Sequence, residues 1–253
     1  MRKIRLVIAY DGSRYAGWQR QKNAITIQGV IEDAIWRLTG ERSPLLGAGR
    51  TDGGVHALGQ VAVFRTGSNI PLEGMMRALN TLLPPDIRIL EASAVDNRFH
   101  PIRDALSKHY RYLISEAREP HPLNQRRVWH IGANVDIGLM RRAASALIGR
   151  HDFSTIAPTD GRPIKEIKRL DISDITGSEL LPLSMSKDAR LIDIEIEADG
   201  FLRHMVRIIV GILVEVGKKR LGIPDVEAIL DGRSSRRAIV APPWGLYLVK
   251  VDY

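Results

Sequence analysis

The chain of 253 residues has no cysteine, no paired histidine motif and no long hydrophobic run. Without cysteine it has no disulfide, no thiolate nucleophile and no cysteine-ligated zinc. Its seven histidines are scattered without an HExxH spacing, which predicts that no metal is bound. The longest apolar stretch, 206–216, is interrupted by Arg207 and Glu215 and is too short for a membrane span, and the N-terminal apolar run breaks at Asp11, too early for a signal peptide. We therefore expect a cytoplasmic protein without a membrane segment.

The composition is that of a globular protein with a basic surface. Hydrophobic residues make up 44% of the chain, enough for one large domain or two of ordinary size. Lysine and arginine number 37 against 29 aspartates and glutamates, so the formal net charge is +8. This excess favours a polyanionic partner such as a nucleic acid.

The hydrophobic pattern changes repeatedly between a period of two and helical spacing. Alternation predicts strands at 4–10, 61–65, 88–94, 110–115, 170–175, 191–197 and 246–251. Apolar residues at helical spacing predict helices at 27–38, 72–83, 139–148, 202–218 and 226–230. The strand at 191–197 alternates isoleucine with acidic residues, as is typical of a sheet with one face in water. The simplest architecture that fits this order is α+β in two halves. Residues 1–105 form the first half and contain the loop around Asp52, and residues 106–253 form the second half and complete the active-site cleft.

The densest group of reactive residues is GAGRTDGGVHALGQ, residues 47–60. It holds a single carboxylate, Asp52, between Arg50 and two glycines. Glycines let a backbone adopt positive φ and approach a ligand closely, so this loop can present one side chain at its tip. A carboxylate beside an arginine is stabilised in its charged form, which suits a nucleophile or a base. The simpler interpretation is an ordinary glycine turn with a local ion pair.

Aromatic and basic residues alternate in YDGSRYAGWQRQ, residues 10–21. Tyr10, Tyr15 and Trp18 are interleaved there with Arg14 and Arg20. Aromatic rings stack on bases while arginine binds phosphates, so this segment suits looped or single-stranded RNA. The alternative is that the aromatic residues belong to the core at the end of a strand.

Three further segments carry candidate residues. KHYRYLI places Tyr110 and Tyr112 on one face of a strand, either lining a pocket or packing in the core. GFLRHMVRIIVG sets Arg203 and Arg207 four residues apart on one helical face, which indicates either a phosphate clamp or a solvated basic edge. The prolines and glycine of APPWGLY fix Leu246 at the entry to the final strand.

Three other functions fit the same residues less well. A nucleotide-phosphate site lacks its motif, because the chain has no GxxxxGK followed by serine or threonine and the glycines at 47 and 49 do not complete GxGxxG. A glycosidase needs two carboxylates across a pocket, and only Asp52 is evident. A non-catalytic RNA-binding protein is compatible with the charge and the aromatic residues, but does not explain an aspartate in a glycine turn.

Five segments, in order, resemble the signature segments of the bacterial tRNA pseudouridine synthase A family: YDGSRYAGWQRQ, GRTDGGVHALGQV, YRYLI, FLRHMVRIIVG and GLYLVKVDY. The resemblance extends from residue 4 to residue 253. It implies two halves similar to RNA-recognition modules, whose antiparallel or mixed sheets join into one central sheet flanked by helices. It also implies a homodimer that binds tRNA and needs no cofactor. The implied reaction converts uridine to pseudouridine at positions 38, 39 and 40 of the anticodon stem-loop, by glycosidic bond cleavage, rotation of the uracil and formation of a carbon–carbon bond.

The resemblance also implies roles for individual residues. Asp52 matches the catalytic aspartate, as nucleophile or base, and Arg50 the arginine that pairs with it and helps to displace the target base. Tyr110 matches the tyrosine that packs against the uracil, with a further candidate role in proton transfer. Leu246 matches a residue under the uracil and Arg207 a basic residue near the site. We further expect RNA contacts from three more arginines, Arg203, Arg14 and Arg20.

The chain departs from the family pattern at three places. Gly53 stands where the family usually has alanine, Trp244 where it often has a polar residue, and Pro101 where alanine is more familiar. None is a matched catalytic position, but Trp244 precedes Leu246 closely enough to alter the pocket rim.

Overall fold

The structure, a computed structural model, describes residues 1–119, 121–157, 162–176, 190–233 and 239–253. Strands and helices alternate along the described chain. In chain order they are β1 (Arg2–Tyr10), α1 (Ile27–Thr39), β2 (Leu46–Gly47), β3 (His56–Thr66), α2 (Leu72–Leu82), β4 (Ile87–Val95), β5 (Ser107–Ser115), β6 (Trp129–His130), α3 (Ile137–Ser145), β7 (Gly149–Asp152), β8 (Ile164–Asp174), β9 (Leu191–Ala198), α4 (Met205–Gly217), α5 (Ile223–Leu230) and β10 (Leu246–Asp252).

Each strand and helix predicted above is present, with shifted ends. The prediction missed β2, β6 and β7, which have two to four residues each and therefore no measurable alternation. The start of α4 differs from the prediction and changes the placement of Arg203. The helix predicted at 202–218 begins at Met205, because His204 adopts a left-handed backbone with φ of 61°. Arg203 therefore precedes the helix, and the prediction that it shares a helical face with Arg207 was wrong.

The first compact unit comprises residues 1–108 and 247–253. Its strands lie in the order β4-β1-β3-β10, with β2 also pairing with β3. β1 is antiparallel to both β3 and β4, whereas β10 is parallel to β3, with Tyr247 opposite His56. This pairing places β10 in the first unit, whereas the sequence-based division assigned it to the second half. The division at residues 105 and 106 itself stays a prediction.

The core of the first unit follows directly from the sequence pattern. Ile4, Leu6 and Ile8 point to one side of β1 and are fully buried. Three isoleucines of α1 at helical spacing, Ile27, Ile31 and Ile35, are buried with them, as are Met75 and Leu79 of α2. Thr26 caps α1 by accepting a hydrogen bond from the Gly29 amide at 3.3 Å, and Gly40 ends it with φ of 73°.

The second compact unit comprises residues 109–246. Its strands lie in the order β5-β9-β8-β7, and β6 pairs in parallel with β5. Helix α4 is buried on nearly all sides. At Gly211 an added Cβ would lie 1.8 Å from the Ile239 carbonyl oxygen. Only glycine therefore fits where residues 239–241 cross this helix.

The polar face of β9 carries an ion-pair cluster shared with β5 and β8. The Arg111 guanidinium lies 2.9 Å from Asp193 and 2.6 Å from Glu195, and Glu195 also binds Arg169 at 2.5 Å. Asp193 is only 4% exposed, and its Oδ1 has no hydrogen-bond partner in the described part of the chain. Burial raises the pKa of Asp193 to about 6, because desolvation together with the nearby Glu195 outweighs Arg111.

The predicted fold class is confirmed: the protein is α+β, with mixed sheets flanked by helices. Among the described residues, no helix is both long and apolar enough to cross a membrane.

Candidate active site

Asp52 lies in the loop between β2 and β3. The Val55 amide donates to the Asp52 carbonyl oxygen at 3.2 Å, and Gly54 has φ of 83°, so residues 52–55 form a β-turn of the kind that needs glycine at its third position. Of the glycines at 47, 49, 53 and 54, which permit positive φ, only Gly54 adopts it. Gly47 is required for a different reason, because its Cβ would lie 2.6 Å from the indole nitrogen of Trp18.

The side chains of this loop differ in exposure. Thr51 is buried, Asp52 is half-buried and Arg50 is exposed. Within the described residues, the Arg50 guanidinium forms no ion pair. The pairing of Arg50 with Asp52 therefore stays a prediction.

Segment 10–18 packs against the Asp52 loop. The Tyr10 hydroxyl is 2.8 Å from Thr51 Oγ1, and the Trp18 amide donates to the Thr51 carbonyl oxygen at 3.0 Å. Two glycines of the segment touch the loop backbone. A Cβ on Gly12 would lie 1.9 Å from the Val55 carbonyl oxygen, and a Cβ on Gly17 would lie 2.6 Å from that of Thr51.

Buried polar side chains hold both ends of the loop. The amide nitrogen of Gln60, which is fully buried, donates to the Gly49 carbonyl oxygen at 2.8 Å, and Lys108 Nζ donates to that of Ala48 at 2.7 Å. At the other end, His56 Nδ1 lies 3.2 Å from Asp11 Oδ1, and its ring stacks on Tyr247 at 4.7 Å. The His56 contact holds the pKa of Asp11 well below its usual range, despite partial burial.

The three aromatic residues of segment 10–18 belong to the core. Tyr10, Tyr15 and Trp18 are 4%, 8% and 3% exposed, so the alternative of core packing is correct and these rings are not a surface for stacking on bases. Arg14 is 80% exposed and lies 3.6 Å from Asp86. Arg20 is bound by two carboxylates of α1, Glu32 at 2.8 Å and Asp33 at 3.1 Å.

In the second unit, the two tyrosines of β5 have different surroundings. Tyr110 is 7% exposed, and its ring meets Phe201 edge-on at 5.1 Å. Tyr112 is fully buried against Trp129, and its hydroxyl donates to the Pro242 carbonyl oxygen at 2.7 Å. Burial raises the pKa of Tyr112, which keeps the hydroxyl protonated as a donor. Tyr112 thus anchors the chain that leads to Leu246.

The segment before Leu246 is fixed by contacts with β5 and α4. A Cβ on Gly245 would lie 2.6 Å from the Tyr112 ring. Arg207 Nε donates to the Ala241 carbonyl oxygen at 2.7 Å, and the Ala241 amide donates back to the Arg207 carbonyl oxygen at 3.0 Å. Leu246 is 6% exposed. Arg207 therefore has a structural role in addition to any contact with a ligand, whereas Arg203 is exposed.

Three residues of this site were not predicted from the sequence: Thr51, Gln60 and Lys108. A glutamine within the apolar stretch 57–64 of β3 was the available signal, because a fully buried amide needs a specific partner. The structure brings Asp52 and its supports together in the first unit. It provides a half-buried carboxylate on a rigid loop beside an exposed guanidinium, which is suited to nucleophilic or general-base chemistry on a polyanion.

Comparison with known proteins identifies the family of the chain. A model of the tRNA pseudouridine synthase family matches residues 6–102 and 143–253. The chain is 46% identical over 254 residues to tRNA pseudouridine synthase A of Acetivibrio thermocellus, and 43% identical over 254 residues to that of a Thermoanaerobacter species, with 100% of both chains covered in each comparison. Among solved structures, the archaeal box H/ACA sRNP Nop10-Cbf5 complex matches with a TM-score of 0.34 and 12% identity, over 83% of this chain and 43% of that chain, which is too low to bear on fold or function.

Proposed function

The chain belongs to the tRNA pseudouridine synthase family and is an isomerase that converts uridine to pseudouridine in tRNA; from this premise we propose that it acts at positions 38, 39 and 40 of the anticodon stem-loop, with Asp52 as nucleophile or general base. The observation that carries the proposal is the Asp52 loop. Its backbone is held by buried contacts, while the carboxylate remains partly accessible. A rigid loop of this kind can hold one reactive group against a bound nucleotide.

The proposed steps need several groups besides Asp52. A uridine paired or stacked in a stem must leave the helix before a side chain can reach it. We assign to Arg50 the displacement of the base, since its guanidinium is exposed beside Asp52. Asp52 then attacks the ribose or takes a proton from it while the glycosidic bond breaks. The released uracil rotates, and a ring carbon forms a bond to the same ribose carbon, which frees the Asp52 carboxylate or returns the abstracted proton to the ribose. The hydrogen on that ring carbon is then lost as a proton, and the nitrogen that left the ribose takes up a proton.

The second unit supplies the proposed uracil pocket and part of the RNA surface. Tyr110 packs against the uracil and Leu246 lies beneath it. Both side chains are almost completely buried in this structure, as expected for walls of a tight pocket. Four arginines contact phosphates in this proposal: Arg207, Arg203, Arg14 and Arg20.

We further propose that the enzyme is a cytoplasmic homodimer that needs neither metal nor cofactor. The basic net charge of +8 suits a tRNA substrate, and each proposed role is given to a side chain of the protein itself.

The direct test is to incubate the purified protein with unmodified tRNA and to map pseudouridine by chemical labelling. We expect modification in the anticodon stem-loop at positions 38, 39 and 40. With tRNA that has been folded beforehand, activity should survive a strong chelator. A requirement for magnesium in the chemical step, or modification only outside the anticodon arm, would contradict the proposal.

A further inference from the structure

We propose that contacts made by Tyr10, Gly12 and Trp18 position Asp52, with the Tyr10 hydroxyl as the decisive polar group. The inference rests on the proposed role of Asp52 and adds a second set of residues on which the reaction depends. Segment 10–18 contacts the loop on both sides of Asp52, through Thr51 before it and through Val55 and His56 after it.

The contact before Asp52 is a pair of hydroxyl groups removed from water. Tyr10 is 4% exposed and Thr51 is 8% exposed, and their oxygens are 2.8 Å apart. Neither hydroxyl can replace this partner with bulk water, so loss of one leaves the other short of a hydrogen bond. Thr51 is adjacent to Asp52 in the chain, so a rotation of its peptide moves the carboxylate directly.

The contact after Asp52 is made by backbone and imidazole groups. The Gly12 amide nitrogen lies 3.2 Å from His56 Nδ1, and a Cβ on Gly12 would lie 1.9 Å from the Val55 carbonyl oxygen. The carboxylate of Asp11 lies 3.2 Å from the same imidazole nitrogen. His56 is 3% exposed and begins β3, so this contact joins the end of the turn to the sheet.

Both contacts act on the backbone of the loop and leave the surface that would meet RNA unchanged. Their loss should therefore reduce the rate of the chemical step and leave tRNA affinity intact. A catalytic group must be held within a fraction of an ångström of its productive position, and small displacements cost one to two orders of magnitude in rate.

Tyr10→Phe is the informative variant, because it removes the hydroxyl and keeps the buried ring. Tyr15→Phe is its matched control. Tyr15 lies in the same segment, is almost equally buried, and its hydroxyl donates to Asp86 at 2.5 Å, a residue outside the Asp52 loop. We expect Tyr10→Phe to lower kcat roughly 10- to 100-fold with KM and tRNA Kd unchanged. Tyr15→Phe should keep kcat within about twofold of the wild-type value. Its change in Tm should be similar to that of Tyr10→Phe.

Two variants of Thr51 test the same hydrogen bond from its other end. Thr51→Ser retains the hydroxyl and should keep most of the activity. Thr51→Val retains the shape, removes the hydroxyl and should behave as Tyr10→Phe does. The inference is overturned if Tyr10→Phe and Tyr15→Phe lower kcat equally, or if kcat falls only in proportion to Tm.

Asp52→Asn, measured in the same assay, separates this inference from the proposed function. If Asp52→Asn is inactive while Tyr10→Phe is fully active, the positioning role alone is wrong. If Asp52→Asn is active, the proposed role of Asp52 fails whatever the Tyr10 variant does.

Discussion

The side chains of the candidate site are of two kinds. Buried side chains bind the loop backbone, and accessible side chains can contact RNA. Tyr10, Thr51 and Gln60 are buried and bonded to one another or to the loop. Arg50 is exposed and Asp52 half-buried. The same type of residue serves both purposes, since one tyrosine of β5 anchors the 242–246 segment and the other is proposed to face uracil.

Two substitutions separate the contribution of the Tyr110 ring from that of its hydroxyl. Tyr110→Phe keeps the ring against Phe201 and removes the hydroxyl, whereas Tyr110→Ala removes both. If the ring positions the base, the alanine variant should be much the less active. An equal loss in both would assign the effect to the hydroxyl as a proton carrier, worth roughly 10²–10⁴ in rate. Thermal unfolding of each variant identifies a purely structural role, for which activity would fall only in step with Tm.

Asp193 predicts a pH dependence of stability that is independent of catalysis. Its pKa of about 6 lies above the unfolded value of 3.8, so the folded state holds the proton more tightly. This contribution to the unfolding free energy is fully present below pH 3.8 and is lost as the pH rises through about 6. The loss amounts to roughly 3 kcal/mol at most, at about 1.4 kcal/mol for each pKa unit.

Urea unfolding of the wild type and of Asp193→Asn at pH 4 and pH 7 measures the effect. The advantage of the wild type over the variant should be larger at pH 4. Asp171→Asn, which removes a 57% exposed carboxylate from the same cluster, controls for net charge. A wild-type advantage that is larger at pH 7 would refute this account of Asp193.

Among the elements of the fold, the Asp52 loop and segment 10–18 form a single packed structure. Gly17 has φ of 98°, and its missing side chain leaves room for the Thr51 carbonyl. Gly53, inside the turn itself, has ordinary φ, and a Cβ there would lie 3.4 Å from its nearest neighbour, the Tyr15 carbonyl oxygen. The two glycines therefore tolerate alanine very differently.

Gly17→Ala should destabilise the protein by more than about 1 kcal/mol and reduce kcat, because alanine meets both an unfavourable φ and the loop backbone. Gly53→Ala should change stability by no more than about 0.5 kcal/mol and leave kcat within a fewfold of the wild type. Thermal unfolding and steady-state kinetics of the two variants provide the comparison. Full activity and stability in Gly17→Ala would mean that the loop does not depend on this contact.

Local patterns predicted the elements better than the contacts between them. The isoleucine alternation of β1 and β9 and the apolar spacing of α1 located those elements correctly, because both patterns act over a few residues. The burial of Tyr10 depends on Thr51, 41 residues later in the chain, and sequence spacing does not reveal such a partner. The start of α4 was misjudged because Leu202 continues the apolar pattern beyond the left-handed His204. Asp52 was identified because reactive groups cluster around it within one short segment.

At the scale of the whole molecule, the net charge of +8 predicts salt-dependent tRNA binding through counterion release. Arg203→Ala, if Arg203 binds a phosphate, should weaken binding and reduce the slope of log affinity against log salt by about one unit. Arg77→Ala makes the same change in charge at a 72% exposed site on α2 that is not among the proposed contacts. Filter binding over a salt series compares the two. Equal slopes for both variants would show that Arg203 does not bind a phosphate of the tRNA.

The central claim is that Asp52 performs the chemistry while basic residues supply the affinity. The most direct test is to measure pseudouridine formation and tRNA binding for Asp52→Asn in parallel. The substitution keeps the size and much of the hydrogen bonding of the side chain and removes its charge, so turnover should vanish while the tRNA Kd stays within a fewfold of the wild type. An Asp52→Asn protein that binds tRNA and still forms pseudouridine at the wild-type rate would contradict the account.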